Sequence, residues 1–415
     1  TIQATRDLVT CGVDSSDMEA PSRGLSDMVP MRMALQESET QSDSKNLISH
    51  ISKQRKSDGF IIVIVSAIFV IFFLLTYSSG STPRAHKLTP KYDKKPINLR
   101  YLVHEATERA EKSNSLVPIR NSHAEIFSEN DMTFALSYMH DSELRSRASS
   151  NRNSYDPFGA DHLDPMLLVS TIPPMHTLVL NKFPSITDHV ILITNRFKPQ
   201  NSLLTYDDME AWMWCVVRLE AFGFYNSDSN AGSSQHHKHM QLIPRDQIYS
   251  FSGIEILPVE TVIYPLIQSG EWLFYDPLRH SSNTYRVPQY NFEHGVLVLM
   301  NEAEWDSTED KRYSYNEYLM SAYHELLRVT GTVPYSEDKH KRHLEENTPP
   351  ESYNLLLTER WMMIVRRSRE SYDGMVSVNG IGFVGMLLAK NESSLAHIKS
   401  VGPLRVLSAV AHPLS

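Results

Sequence analysis

The chain has 415 residues, 41% of them hydrophobic and 21% charged, and a net charge of -9. This length exceeds one minimal domain, and the composition is that of an ordinary globular protein. The acidic balance argues against a general nucleic-acid binder, and two cysteines, Cys11 and Cys215, supply neither a disulfide framework nor a zinc ribbon.

In chain order, residues 1–58 are rich in Ser, Asp, Glu, Gln and Met without sustained periodicity, the composition of a disordered tail. The first residue is Thr1, not Met, so the natural N-terminus is expected upstream. An uncharged run follows, FIIVIVSAIFVIFFLLTY, from Phe60 to Tyr77. At about 1.5 Å per residue it reaches about 27 Å, close to the thickness of a bilayer core. Apolar side chains on every face and polar flanks favour one transmembrane helix over a buried core helix. A cleaved signal peptide would begin much nearer the N-terminus. Arg84, Lys87, Lys91, Lys94, Lys95 and Arg100 follow the run, which leans toward a cytosolic catalytic region, whereas the sequon at Asn391 leans the other way. Residues 78–100 read as a basic linker.

From about Tyr101 the pattern is that of a folded protein. HTLVLNKFPSITDHVILITNRF, His176 to Phe197, reads as two strands. In TYDDMEAWMWCVVRLEAFG, Met209, Trp212, Met213, Val216 and Leu219 recur at helical spacing, with Thr205 as N-cap, Asp208 completing a capping box and Gly223 as C-cap. Cys215 falls inside that apolar pattern as a buried filler. Strand-like runs recur at 262–266 and 296–300, and a second helix is expected from Ser307 to about Gly331. A charged loop spans 335–352. YNLLLTERWMMIVRRSRE then repeats the plan of HTLVLNK…HVILITNR, strand, polar turn, strand with a basic end, which suggests a duplicated sheet. Strands mixed with long helices in no regular alternation give an α+β class.

QHHKHMQLIP, Gln235 to Pro244, places three histidines in four positions. Read as a strand, it puts His237, His239 and Gln241 on one face, each about 6.6 Å from the next, and His236 and Lys238 on the other. A metal site is the first alternative, but two imidazoles fall short of the three or four ligands zinc takes, and His236 points away. A basic surface tract or histidines without a role are the others. Covalent phosphoryl chemistry fits best: a neutral imidazole is nucleophilic near pH 7 and carries no negative charge to repel a polyphosphate. The preceding AGSSQ offers N–H groups and hydroxyls to phosphate oxygens, and Gly232 permits close approach.

FYNSDSNAGSSQHHKHMQLIP resembles the signature of the diadenosine tetraphosphate (Ap4A) phosphorylases, or ATP adenylyltransferases, in the transferase branch of the histidine-triad superfamily. LVLNKFPSITDHVILITNRFKPQ, LTYDDMEAWMWCV, SYNLLLTERWMMIVRRSRE and SVNGIGFVGMLLAK are similar to other family segments, over roughly residues 155–410. The resemblance implies a histidine-triad-like duplicated antiparallel sheet with flanking helices, one half (101–250) carrying the triad and the other (251–415) completing the domain. It implies His239 as the nucleophile that takes the adenylyl group, His237 as its orienting partner and Gln241 as an α-phosphate ligand. Asn181, Lys182, Asn226, Gly232, Ser233, Ser234 and Gln235 would bind substrate, with Thr358 and Arg367 as weaker matches. The implied reaction is phosphorolysis of diadenosine tetraphosphate to ATP and ADP. No protein-held metal or tightly bound cofactor is implied; Mg would arrive with the substrate phosphates. A nucleotide-sugar phosphorylase acting on a GDP-hexose is the nearest alternative, and a membrane-tethered nucleotide sensor the alternative without chemistry. The chain departs from the family pattern in three places: Arg145 and Arg147 but no lysine precede DPF, Arg366 stands where proline is expected, and the apolar run and long tail are atypical.

Overall fold

The computed structural model describes residues 98–140, 155–269, 284–307, 314–333 and 350–414. The tail expected over 1–58, the apolar run 60–77, most of the charged loop 335–352, and Arg145 and Arg147 lie outside the described residues. The linker expected to reach residue 100 gives way at Leu99 to a helix, whose first turn is capped by Asn98 accepting from Tyr101 N at 3.0 Å.

That helix, α1 (Leu99–Lys112), precedes the hairpin β1 (Glu125–Glu129) and β2 (Met132–Tyr138). Next come β3 (Leu168–Ile172), β4 (His176–Leu180), β5 (Val190–Thr194), α2 (Tyr206–Leu219), β6 (Ala221–Asn226), β7 (His239–Pro244), α3 (Arg245–Ser252) and α4 (Glu260–Ser269). The later part holds β8 (His294–Val298), α5 (Glu302–Ser307), α6 (Tyr315–Val329), β9 (Tyr353–Leu357) and β10 (Trp361–Arg366). It closes with the short strands β11 (Ser371–Tyr372) and β12 (Val376–Ser377), then β13 (Met386–Ala389), α7 (Glu392–Val401) and α8 (Pro403–Val410).

An eight-stranded sheet runs β3-β4-β5-β7-β6-β9-β10-β8, with every neighbouring pair antiparallel. Its strands are nearly all buried, so alternation divides their side chains between two packed faces. One face joins Leu178, Leu192, Met240, Leu355 and Ile364 to residues of α1, α2 and α6. The other sets Phe222, Phe224, Leu356, Trp361 and Met363 against α4, α7, α8 and the small sheet β1-β2-β13. Burial of one such large side chain contributes roughly 1.5–3 kcal/mol.

The registers reveal a duplication. Gln241 stands opposite Phe224 and Ile191, as Met363 stands opposite Leu356 and Val296, while Phe224 and Leu356 face each other across the central β6–β9 pair. The repeated unit is therefore strand–helix–strand–strand, β5-α2-β6-β7 against β8-α6-β9-β10. This corrects the expected correspondence of β4–β5 with β9–β10. The true partner hairpin, β6–β7, is interrupted by residues 227–238, which hide it in the sequence.

Local chemistry explains most boundaries. The capping box of Thr205 and Asp208 starts α2, and Glu220, left-handed at φ 47°, ends it. Gly223 is not the cap expected of it. It lies within β6, where an added Cβ would sit 2.9 Å from Trp212 Nε1. The strand expected at 262–266 is part of α4: Ile263 buries four positions after Val259, which immediately precedes the helix, a spacing that a five-residue apolar window does not expose. The helix expected from Ser307 begins only after its cap at Ser314; α5 is a separate turn before it, and residues 308–313 lie outside the described residues.

The membrane placement is also corrected. Among the described residues no helix is long and apolar enough to cross a membrane. Even α6 has only 15 residues and carries Glu317, Glu325 and Arg328, whereas a span takes about 20 apolar residues. No described helix supplies the expected single-pass span, or with it the expected bilayer partner and cytosolic placement of the catalytic region.

Candidate active site

β7 builds the centre of the site because its alternation separates two chemistries. Met240 and Leu242 enter the core beneath α2, while His239, Gln241 and Ile243 face the opposite side and line a cavity of about 820 Å³. His237 lies just before β7, bridged to Pro199. Where β6 and β7 diverge, Gln200 holds both strands: its Oε1 accepts from His239 N at 2.8 Å, and its Nε2 donates to Asn226 O at 2.7 Å.

His239 is 3% exposed. Its Nδ1 lies 2.8 Å from the His237 carbonyl oxygen, which assigns the proton to Nδ1 and leaves the Nε2 lone pair free to attack. Burial pushes its pKa down to about 4, overcoming the opposing hydrogen bond to His237 O, so the ring is neutral at pH 7. His237 has a different setting. Its Nδ1 lies 2.8 Å from Asp156 Oδ2, and its Nε2 lies 2.8 Å from Thr194 O. Phe158 covers both rings, with centroids 5.3 Å from His239 and 6.0 Å from His237.

Residues 228–235 wrap one wall. Asp228 Oδ1 accepts from Ala231 N at 3.0 Å, its carbonyl accepts from Ser233 N at 2.8 Å, and Gly232 turns the chain at φ 91°. The Gly232 backbone presses on the later half: an added Cβ would meet Val378 O and Asn379 Cβ at 2.9 Å. Asn226 Oδ1 is taken by Asn354 Nδ2 at 2.8 Å and Gly380 N at 3.0 Å, so its amide NH2 is the group left to donate into the cavity.

Of the residues singled out in the sequence, Asn181, Lys182, Asn226, Gly232, Ser234, Gln235, His239 and Gln241 line this cavity. Four others do not line it. Ser233 is buried, its hydroxyl donating to Gln235 O; His237 sits behind Phe158; Thr358 accepts from Arg360 N and Trp361 N in the β9–β10 turn. Arg367, 1% exposed, donates to the carbonyls of Ala231, Val378 and Val410 and to Asn354 Oδ1. It thus ties the loop at 228–235 to the adjoining Val378 segment, which also lines the cavity.

Sequence reasoning passed over Asp156, Gln200 and the cluster under the motif. Lys238, 2% exposed, points away from the cavity; its Nζ donates to Leu203 O at 2.7 Å and pairs with Asp208 at 3.1 Å. Burial opposes ionisation of Asp208, but the hydrogen bond from His176 and the Lys238 ammonium hold its carboxyl well below the usual range. The signals were present in DPF and KPQ, yet Asp156 and His237 are 81 positions apart. Among the described residues, no three His, Cys, Asp or Glu side chains are grouped to hold a metal.

Comparison with known proteins decides the family. The Ap4A phosphorylase N-terminal domain matches residues 89–265, and the ATP adenylyltransferase C-terminal domain matches residues 288–413. The chain belongs to the Ap4A phosphorylase family. Protein APA1 of Saccharomyces cerevisiae is 30% identical over 232 residues, 54% of this chain and 64% of that protein, so the alignment spans less than two thirds of APA1. Diadenosine 5',5'''-P1,P4-tetraphosphate phosphorylase 2 of the same yeast is 26% identical over 331 residues, 72% of this chain and 90% of that protein. The crystal structure of yeast Ap4A phosphorylase Apa2 shares the fold, with a TM-score of 0.59 and 22% identity over 77% of this chain and 98% of that one.

Within this family member the duplicated halves are chemically unequal. By register, Trp361 and Met363 of β10 occupy the places of His239 and Gln241 in β7. Trp361 is fully buried and donates to Glu260 Oε1 at 2.8 Å, a structural role with no counterpart in β7. Arg366, where proline was expected, ion-pairs with Glu351 and does not line the cavity.

Proposed function

We propose that this chain phosphorolyses diadenosine tetraphosphate to ATP and ADP through an adenylyl group carried on His239. The observation that carries the reading is the buried, neutral His239 with its proton committed to the His237 carbonyl and its Nε2 at the cavity. The activity for which the yeast phosphorylase 2 is named, together with family membership, supports the substrate class.

In the first step the Nε2 lone pair attacks the α-phosphorus. The bond to the bridging oxygen breaks, and ATP leaves with that electron pair. The adenylylated ring becomes cationic, which strengthens the Nδ1–H bond to His237 O. In the second step an oxygen of inorganic phosphate attacks the same phosphorus, the P–N bond returns its electrons to Nε2, and ADP departs. Gln241 and the Asn226 amide NH2 are the neutral donors suited to the nonbridging oxygens, and Lys182 at the rim suits the polyphosphate chain. A divalent cation in this scheme rides on the substrate phosphates.

The test is phosphate-dependent release of ADP from diadenosine tetraphosphate, with GDP-hexoses assayed in parallel, together with isolation of an acid-labile adenylyl adduct. His239→Ala is expected to lose at least about 10³-fold in kcat. Normal turnover by that variant, or turnover confined to nucleotide-sugars, would sink the reading.

A further inference from the structure

Asp156 lies outside the triad and outside the cavity lining, yet its carboxylate reaches both sides of the nucleophile. Oδ2 accepts from His237 Nδ1 at 2.8 Å, while Oδ1 accepts from Phe158 N at 3.0 Å and closes the turn that seats the Phe158 ring over His239. Its carbonyl accepts from Gly159 N and meets His162 Nδ1 at 3.1 Å, so the turn is held from the backbone as well.

His237 contributes no ring atom to the cavity. What it offers His239 is its carbonyl oxygen, whose direction follows from how the residue is held. Both ring nitrogens face acceptors. Nδ1 meets Asp156, and Nε2 meets Thr194 O at 2.8 Å and Thr194 Oγ1 at 3.0 Å, whose own hydrogen goes to Arg196 O. The ring is therefore held at opposite corners, between β5 and the turn at Asp156.

We propose that Asp156 is a positioning residue for adenylyl transfer: by clamping His237 it aims the carbonyl that keeps the His239 proton on Nδ1, and by seating Phe158 it walls the same ring from solvent. The inference rests on the reading of His239 as nucleophile. A nucleophile in the wrong tautomer presents N–H to the phosphorus, so loss of the clamp acts on the chemical step more than on binding.

The experiment compares full-length wild type, Asp156→Asn and Asp156→Ala, each labelled with 15N-histidine and assigned with His239→Ala. Asn is nearly isosteric and keeps one acceptor but cannot serve both contacts, so it preserves the fold if Ala does not. Both variants are expected to lose the single Nδ1–H tautomer of His239. They are also expected to lower kcat about 10–100-fold with KM within about 3-fold. An unchanged His239 tautomer overturns the proposal whatever the activity does, and so does unchanged kcat beside an altered tautomer or a rise in KM alone. Should wild type fail to turn over diadenosine tetraphosphate, the functional reading fails, while the tautomer comparison still decides the role of Asp156.

Discussion

The Nδ1 of His239 lies 2.8 Å from the carbonyl oxygen of His237, two residues earlier in the chain. The contact is made possible by the bridge of His237 to Pro199, which sets its peptide beside the start of β7. One backbone oxygen thus selects the tautomer of the proposed nucleophile, and the side chain of the residue that supplies it points elsewhere.

The acid limb of adenylyl transfer is therefore expected near pH 4, where His239 gains its proton, and not near the ordinary imidazole value of about 6.5. Single-turnover rates from pH 3.5 to 8 measure this. A limb near 6.5 would mean that the ring is more exposed than its burial here.

Stability carries the same signature. His294, like His239, is pushed down to about 4 by burial, with its Nδ1 held 2.7 Å from Phe292 O. Between about pH 4 and 6.5 the unfolded chain binds protons at both histidines that the folded chain refuses, so unfolding free energy rises with pH through that window. It is flat in these groups above the window. Urea titrations at pH 5 and pH 7 should show the loss at the lower pH, smaller in a His294→Gln background.

Lys238→Met leaves Asp208 buried without its cation and is expected to destabilise the fold by roughly 3–5 kcal/mol. Adding Asp208→Asn should restore part of that loss. Chemical denaturation of the single and double variants measures the coupling, and additive losses would show that the pair does not act as a unit.

Gly232→Ala meets both a left-handed backbone at φ 91° and the Val378 carbonyl 2.9 Å from the new Cβ. The expected cost is about 1–3 kcal/mol of stability. Because the loop lines the cavity, KM for the dinucleotide should rise as well. An unchanged KM in a folded variant would remove the loop from substrate binding.

Thr358→Val separates turn from ligand. The hydroxyl serves Arg360 N and Trp361 N in the β9–β10 turn and does not line the cavity, so the variant is expected to lose about 1 kcal/mol of stability and keep KM within about 2-fold. A large rise in KM at unchanged stability would return Thr358 to the binding residues.

How much could be read without coordinates depends on the range of the interaction. The capping box at Thr205, the strand alternation around His239 and the apolar spacing of α2 are local, written in residues a few positions apart, and the sequence by itself determined them. The same locality explains the faults. Ile263 shows its helical spacing only when packed, and Gly223 leaves room for the Trp212 indole of α2, which lies where a Cβ would be. The pairing of β6–β7 with β9–β10 depends on register across the central strands, which no periodicity encodes.

At the site, His237, His239 and Gln241 stood out as a motif, but only tertiary structure decided their division of labour. Burial makes His239 neutral, and the Asp156 contact holds the His237 ring outside the cavity lining. Folding places Arg367 at the junction of two cavity walls and Lys238 in the core on Asp208. A short peptide pattern specifies which side of a strand each group occupies. Burial, charge and proton position depend on neighbours brought from distant parts of the chain, so they exist only once it has folded.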